Sequence, residues 1–391
     1  MQEVIIAAAA RTAIGDFGGT IKYLGPMELA RHIMQAVTKR APIQTDWIDK
    51  VIMGCCFAPI EQNVARNAAF KAGFPKETPA FTINSTCGSS MQAVICAMQS
   101  IMCGESRLVL AGGVESMSSA PYISSFARWG QRLRHAEMYD LLWRGMQEPS
   151  IGVGMGITAE NLAAKYGITR AEQDAFALLS HTRAAAAIKS GKFRKEIVPL
   201  ALPARKGKQI TFDTDEHVRP ETRIEDLANL PPIFKKDGTV TAGNACGMND
   251  AAAALVLADR ESARVFGLEP LARIRAYQVS GVDPDYMGIG PVPAIQGTLK
   301  RGGVKLSDID RFEINEAFAA QYLACEKELE LDRDKANVYG NGIALGHPVG
   351  ATGCRLLVTL LHQLIDDDLN LGIASLCAGG GMGFSILIER I

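Results

Sequence analysis

Two segments of this chain, far apart in sequence, share one layout. In the first, the small-residue turn Asn84-Ser85-Thr86-Cys87-Gly88-Ser89-Ser90 leads into an apolar helix pattern (Met91, Val94, Ile95, Met98, Ile101, Met102). A strand pattern over 107–111 follows and is closed by Gly112-Gly113. In the second, Gly346-His347-Pro348-Val349-Gly350-Ala351-Thr352-Gly353 leads into a helix pattern (Leu356, Leu357, Leu360, Leu361, Leu364). A strand pattern over 373–377 follows, ending at Cys377 before Gly379-Gly380-Gly381. A layout that recurs predicts an internal duplication: two similar α/β halves facing each other, each supplying one edge of a shared site.

A chain of 391 residues is too long for one compact core and is expected to divide into two or three domains or two large halves. Residues 4–9 read as a first strand, 27–39 as an amphipathic helix with Pro26 near its start, 51–55 as a strand and 64–72 as a small-residue helix. Such alternation predicts an α/β fold. Between residues 116 and 243 the character changes: Trp129, Trp143 and many charges fall there, with helix patterns over 158–166 and 169–189. The second of these opens with the capping-box pattern Thr169-x-x-Glu172, and a Pro- and charge-rich stretch follows over 199–236. This region reads as an insertion over one face of the α/β body. The expected domains are an N-terminal half (1–117 with 244–268), an inserted loop domain (118–243) and a C-terminal half (269–391).

The nine cysteines are scattered, with no C-x-x-C pair and no Cys/His cluster. They read as reduced thiols of a cytoplasmic protein, neither a disulfide framework nor a zinc site. A formal net charge of -1 argues against nucleic acid or an anionic membrane as partner. The stretch Met1-Gln2-Glu3-Val4-Ile5-Ile6-Ala7 carries an acid and no basic lead, so it reads as a strand, not a signal peptide. No apolar run reaches the ~18 residues of a membrane-spanning helix.

Four places carry candidate chemistry. Cys87 sits where a helix is predicted to begin, where unpaired N–H groups and the helix dipole stabilise a thiolate. His347, one of six histidines, lies in a glycine-rich turn at the second helix start, a position for a base toward a thiol or a donor to an oxyanion. Cys377 ends an apolar strand before three glycines, a position for an acid or base. Asn315-Glu316 precede a helix pattern over 317–328, where an N-cap is the simpler role. Singly, each also fits a structural role. Together they point to Cys/His nucleophilic catalysis of acyl transfer, because a thioester intermediate needs an activated thiol and oxyanion donors.

The motifs resemble those of the thiolase family along the whole chain. They are Arg11-Thr12-Ala13-Ile14-Gly15, the run 84–90, Ala111-Gly112-Gly113-Val114-Glu115-Ser116-Met117-Ser118, the run 155–161, the run 239–244, Asn315-Glu316-Ala317-Phe318, Gly346-His347-Pro348-Val349-Gly350 and the run 377–383. The resemblance implies a duplicated βαβαβαββ core in five layers, α-β-α-β-α, with a loop domain inserted in the first half. It implies reversible CoA-dependent cleavage of a 3-ketoacyl-CoA, or the reverse Claisen condensation, with CoA as substrate and no metal or redox cofactor. By the same resemblance, Cys87 is the acylated nucleophile, His347 activates it, and Cys377 is the acid/base at the α-carbon. Asn315 holds a water that joins His347 in one oxyanion hole, and the N–H groups of Cys87 and Gly379 form the second. Met155, Arg219, Phe234, Cys246, Ala317 and Phe318 match positions along the path of CoA. A homodimer is implied, with a homotetramer through the inserted loop as an alternative, and a partner subunit is left open.

Three departures bear on the acyl group. Gly154 stands where family members active on acetoacetyl-CoA often carry His. Ala245-Cys246-Gly247 replaces Ala-Ser-Gly, and a thiol is a weaker hydrogen-bonding group than a hydroxyl. Tyr339-Gly340-Asn341-Gly342 replaces Asn-Gly-Gly-Ala. The segment 128–144 is rich in aromatics and arginines. Either it shapes a pocket for a bulkier aryl- or carboxyl-bearing acyl group, or it is an inter-subunit loop. A decarboxylating ketoacyl synthase would share the duplicated fold but lack a second reactive cysteine, so Cys377 argues against it. A non-catalytic acyl-CoA-binding protein would not require the full set of Cys87, His347, Cys377 and Asn315. Cys87 and Cys377 are expected to face one small volume, a geometry in which oxidation would link them.

Overall fold

In chain order the first half consists of β1 (Val4–Arg11), α1 (Pro26–Arg40), β2 (Lys50–Gly54), α2 (Val64–Ala72), β3 (Ala80–Ile83), α3 (Ser89–Met102) and β4 (Leu108–Ser116). An insertion follows, whose longer helices are α4 (Met155–Tyr166) and α5 (Arg170–Lys189). Strand β5 (Asn249–Asp259) then returns to the first half. The second half runs β6 (Ala272–Gly281), α6 (Pro291–Gly302), β7 (Arg311–Ile314), α7 (Ala319–Leu329), α8 (Val349–Asp366), β8 (Leu371–Ala378) and β9 (Met382–Arg390). The computed structural model describes residues 2–133, 135–148, 150–203 and 208–391, so parts of the aromatic segment and of the charge-rich stretch lie outside the described residues.

The duplication is visible in the strand pairing. The first half orders its strands β3-β2-β4-β5-β1, with parallel pairs β3/β2 and β2/β4 and antiparallel pairs β4/β5 and β5/β1. The second half repeats this as Ala336-β7-β8-β9-β6. A single parallel bridge from Ala336 to Phe312 stands for the edge strand, β7/β8 is parallel, and β8/β9 and β9/β6 are antiparallel. Two residue pairs between β1 and β6, Ile5 with Arg273 and Ile6 with Ala272, join the halves edge to edge.

Layering follows from the alternation of side chains along the strands. On β4, Leu108 and Leu110 pack with Leu29, Ile33 and Met34 of α1. Val109 and Ala111 face the other way, into a cluster with Val94 and Met98 of α3 and Leu356 and Leu360 of α8. On β8, Leu376 joins that central cluster, while Ile373 packs with Tyr322 and Leu323 of α7. The order is therefore helix, sheet, helix, sheet, helix, as expected, with α3 and α8 as the middle layer. Strands covered on both faces need continuous apolar runs; β1, β4 and β5 are buried at every position.

Two expectations are corrected. Gly112-Gly113 do not close the β4 strand, which continues to Ser116. They lie within it because a Cβ at Gly112 would fall 2.2 Å from the Ala253 carbonyl oxygen and one at Gly113 2.1 Å from that of Gly350. The helix after Asn315 starts at Ala319, with Phe318 as its N-cap. Ala317-Phe318 are drawn out of helical geometry by a bridge from Phe318 to Ala245 and by the Cys246 N–H, which donates to the Ala317 carbonyl oxygen. Asn315 is therefore not a helix cap.

Candidate active site

Cys87 lies in the tight turn that enters α3, with Gly88 as the N-cap. Thr86 is held at a left-handed φ of 50°, strained for a β-branched residue. The surrounding contacts over-determine it: the Ser89 hydroxyl donates to the Thr86 carbonyl oxygen at 2.6 Å, and the Thr86 hydroxyl lies 3.2 Å from the Gly379 carbonyl oxygen. Gly88 is required because a Cβ there would meet the Phe384 ring at 2.3 Å.

The backbone N–H groups of Gly379 and of Cys87 itself favour a thiolate at the half-buried Cys87 sulfur, but burial outweighs both and pushes the thiol up to about 11. The nearby Glu115 carboxylate adds to the rise. Desolvation exceeds the benefit of two peptide donors, so the thiol form of Cys87 prevails at neutral pH.

His347 is buried, and its N–H donates to Asn249 Oδ1 at 2.9 Å. Its Nδ1 lies 2.7 Å from the Thr352 hydroxyl, which itself donates to the Pro348 carbonyl oxygen at 2.9 Å. A hydroxyl has one proton; where it goes to that carbonyl, the Thr352 oxygen accepts from Nδ1–H. In that arrangement His347 carries its proton on Nδ1 and keeps a lone pair on Nε2. Burial, with the Arg355 charge second, drives its pKa down to about 3, so the ring is neutral at physiological pH.

Asn315 is buried at the end of β7, with Nδ2 3.5 Å from each ring nitrogen of His347. Its Oδ1 finds no donor among the described residues. Cys377 is buried at the end of β8. Burial raises its thiol far above the usual range, and Cys87, Cys325 and Cys246 add to the rise, so these sulfurs are electrostatic neighbours. Cys246 is pushed up to about 12, by burial and then by Cys87.

The expected CoA positions divide. Met155 packs onto Gly379, where an added Cβ would meet its methyl group at 2.9 Å. Phe234 sits over Gly156 and meets Phe318 edge-on at 6.0 Å, and Cys246 is tied to Ala317. These residues line one region beside the thiols. Arg219 stands apart: its side chain is exposed, and its N–H donates to His181 Nδ1 at 3.2 Å. Trp129 and Trp143 of the aromatic segment are 87% and 62% exposed, and Arg144 lies over the Tyr139 ring. Asn341, one of the departures from the family pattern, serves a buried polar network: it donates to Glu313 and accepts from Arg355.

Thr352, Asn249 and Glu115 escape the sequence reading. Glu115, fully buried on β4, accepts the N–H groups of Cys56, Phe57 and Gly350 at 3.0, 3.1 and 2.9 Å. It thereby ties the first half to the start of α8, just after His347. Glu115 and Thr352 stand inside quoted motifs; the Gly350 partner of Glu115 lies in the other half, beyond any local pattern, whereas Thr352 meets His347 five residues before it.

Residues 4–261 match the thiolase N-terminal domain and residues 268–390 the thiolase C-terminal domain. The chain is 48% identical to an acetyl-CoA acetyltransferase of Pseudomonas aeruginosa, over the full length of both. It superposes on the crystal structure of the Bacillus anthracis acetyl-CoA acetyltransferase with a TM-score of 0.98 at 51% identity, covering 100% of this chain and 99% of the other. For human mitochondrial 3-ketoacyl-CoA thiolase in complex with CoA the TM-score is 0.96 at 43% identity, covering 100% and 98%. The chain belongs to the thiolase family, and with it to the acyltransferases.

Proposed function

We propose that this enzyme cleaves a 3-ketoacyl-CoA with CoA, reversibly, through an acyl thioester on Cys87. His347 Nε2 takes the proton of the Cys87 thiol, and the sulfur attacks the ketone carbon. The oxyanion that develops is met by the N–H groups of Cys87 and Gly379, the same two groups that favour negative charge on the sulfur. The C–C bond breaks, and the acetyl-CoA enolate left behind takes the Cys377 thiol proton at its α-carbon. Enolate charge on the thioester oxygen is met by protonated His347 and by a water held by Asn315; the unpartnered buried Oδ1 supports such a water. In the second half-reaction Cys377 takes the proton of CoA, whose sulfur attacks the acyl thioester and restores Cys87.

The observation that carries this reading is a neutral, buried His347 whose Nδ1 meets the Thr352 hydroxyl, together with a Cys87 that rests as a thiol. Such a thiol needs a neutral base with a free lone pair, and this His has one. CoA enters as substrate, bound along Met155, Phe234, Cys246, Ala317 and Phe318, with the exposed Arg219 guanidinium available to a phosphate. No metal or redox cofactor takes part in these steps. The inserted region, residues 118–243, carries CoA binding and subunit contact, and the enzyme works as a homodimer or homotetramer. The nine free cysteines support a cytoplasmic location.

The test is CoA-dependent cleavage of a panel of 3-ketoacyl-CoAs by the wild type and by Cys87→Ser. Cleavage of acetoacetyl-CoA that disappears in the variant supports the reading. Activity confined to bulkier members keeps the mechanism and moves the specificity toward the Gly154 and Cys246 positions. Turnover that survives Cys87→Ser overturns it.

A further inference from the structure

The turn Gly379-Gly380-Gly381 carries the Gly379 N–H that favours a thiolate on Cys87, and it is intrinsically soft. Gly380 and Gly381 have φ of 86° and 73°, and glycine has the widest conformational freedom of any residue. Its aim depends on outside ties. The Thr86 hydroxyl reaches the Gly379 carbonyl oxygen at 3.2 Å, and the Val282 N–H donates to the Gly381 carbonyl oxygen at 2.7 Å. The third tie comes from the insertion. Glu148 stands on the short strand Gln147–Glu148, paired with Val153–Gly154. It is 1% exposed, and its Oε2 accepts the Gly380 N–H at 2.5 Å. Its Oε1 accepts from the hydroxyl and N–H of Ser150. Among the described residues it has no ion-pair partner, so these donors satisfy the buried carboxylate.

We propose that Glu148 is a positioning residue: by holding the Gly380 N–H it sets the peptide plane of the turn, so that the neighbouring Gly379 N–H points at the Cys87 sulfur and at the oxyanion formed there. The inference rests on the roles proposed above for Cys87 and Gly379. Glu148 is the only one of the three ties that grips an N–H of the turn, and a carboxylate acceptor makes that bond charge-assisted. It also couples the insertion, which supplies Met155 and Phe234 of the proposed CoA path, to the oxyanion donor in the second half.

Glu148→Ala, Glu148→Asp and Glu148→Gln test this. Asp is shorter by one methylene and withdraws from Gly380; Gln keeps an acceptor oxygen at the same reach. The expected result is a kcat for cleavage lowered roughly 10- to 100-fold in Ala and Asp, KM for CoA within about twofold, and most of the rate restored in Gln. The pH profile of Cys87 alkylation by iodoacetamide moves to higher pH in Ala and Asp, because the sulfur loses a donor. Wild-type kcat with a wild-type alkylation profile in Ala or Asp overturns the proposal. So does a kcat loss in all three variants that tracks a fall in Tm with the alkylation profile unchanged. Turnover that survives Cys87→Ser sinks the catalytic reading instead; the alkylation profile needs no turnover and still decides the Glu148 contact.

Discussion

A Cβ on Gly353 would lie 2.7 Å from the backbone nitrogen of Met91, so α8 of the second half touches α3 of the first with no room for a side chain. His347 stands just before α8 and Cys87 just before α3. The contact therefore bears on the spacing of His347 and Cys87, the proposed base and nucleophile. Gly353→Ala is expected to cost about 1–3 kcal/mol through overpacking, read as a lower urea midpoint, and to lower kcat. A variant with wild-type midpoint and activity would show that the helices separate freely.

Cys87, raised to about 11, rests as a thiol at neutral pH. A raised pKa favours the protonated form, so labelling by iodoacetamide should climb about tenfold per pH unit between roughly pH 7 and pH 10. A flat profile across that range would mean a resting thiolate–imidazolium pair, against the depressed pKa of His347.

Thr352→Val removes the acceptor for Nδ1–H and lets the His347 proton move to Nε2. We expect kcat to fall roughly 10- to 100-fold, with Thr352→Ser near wild type. Equal rates for Val and Ser would remove the tautomer from the mechanism.

Arg11 is completely buried, with Nε 2.5 Å from Glu196 and its terminal nitrogens 2.7 and 2.9 Å from Asp215. It pins β1 to the insertion. Arg11→Ala strands two carboxylates in the core and should lower stability by about 3–5 kcal/mol, measured by urea unfolding. A loss under about 1 kcal/mol would mean that water reaches these acids in the variant.

The turn at Cys87, the turn at His347 and the helices after them were legible because their signals are local. Small residues permit the turn, and apolar residues at helical spacing mark the helix. The capping box at Thr169 and Glu172 was legible for the same reason, and the structure forms it. The Gly-Gly in β4 misled because glycine carries two meanings. It ends strands, and it also admits a neighbouring backbone, and only the neighbour at Gly350 distinguishes the two. The long-range ties of Glu115 and Glu148 gave no local signal: each accepts an N–H more than two hundred positions away.

The duplicated α/β plan and the family motifs are legible in the sequence, since they depend on dihedral preference, hydrophobic period and residue identity. Which groups meet, and in what protonation state, follows only from packing. Burial leaves Cys87 a thiol at neutral pH, and Asn249 of the first half accepts the backbone N–H of His347 in the second. Both outcomes depend on desolvation and on the direction of single hydrogen bonds, quantities that exist only once distant segments have packed together.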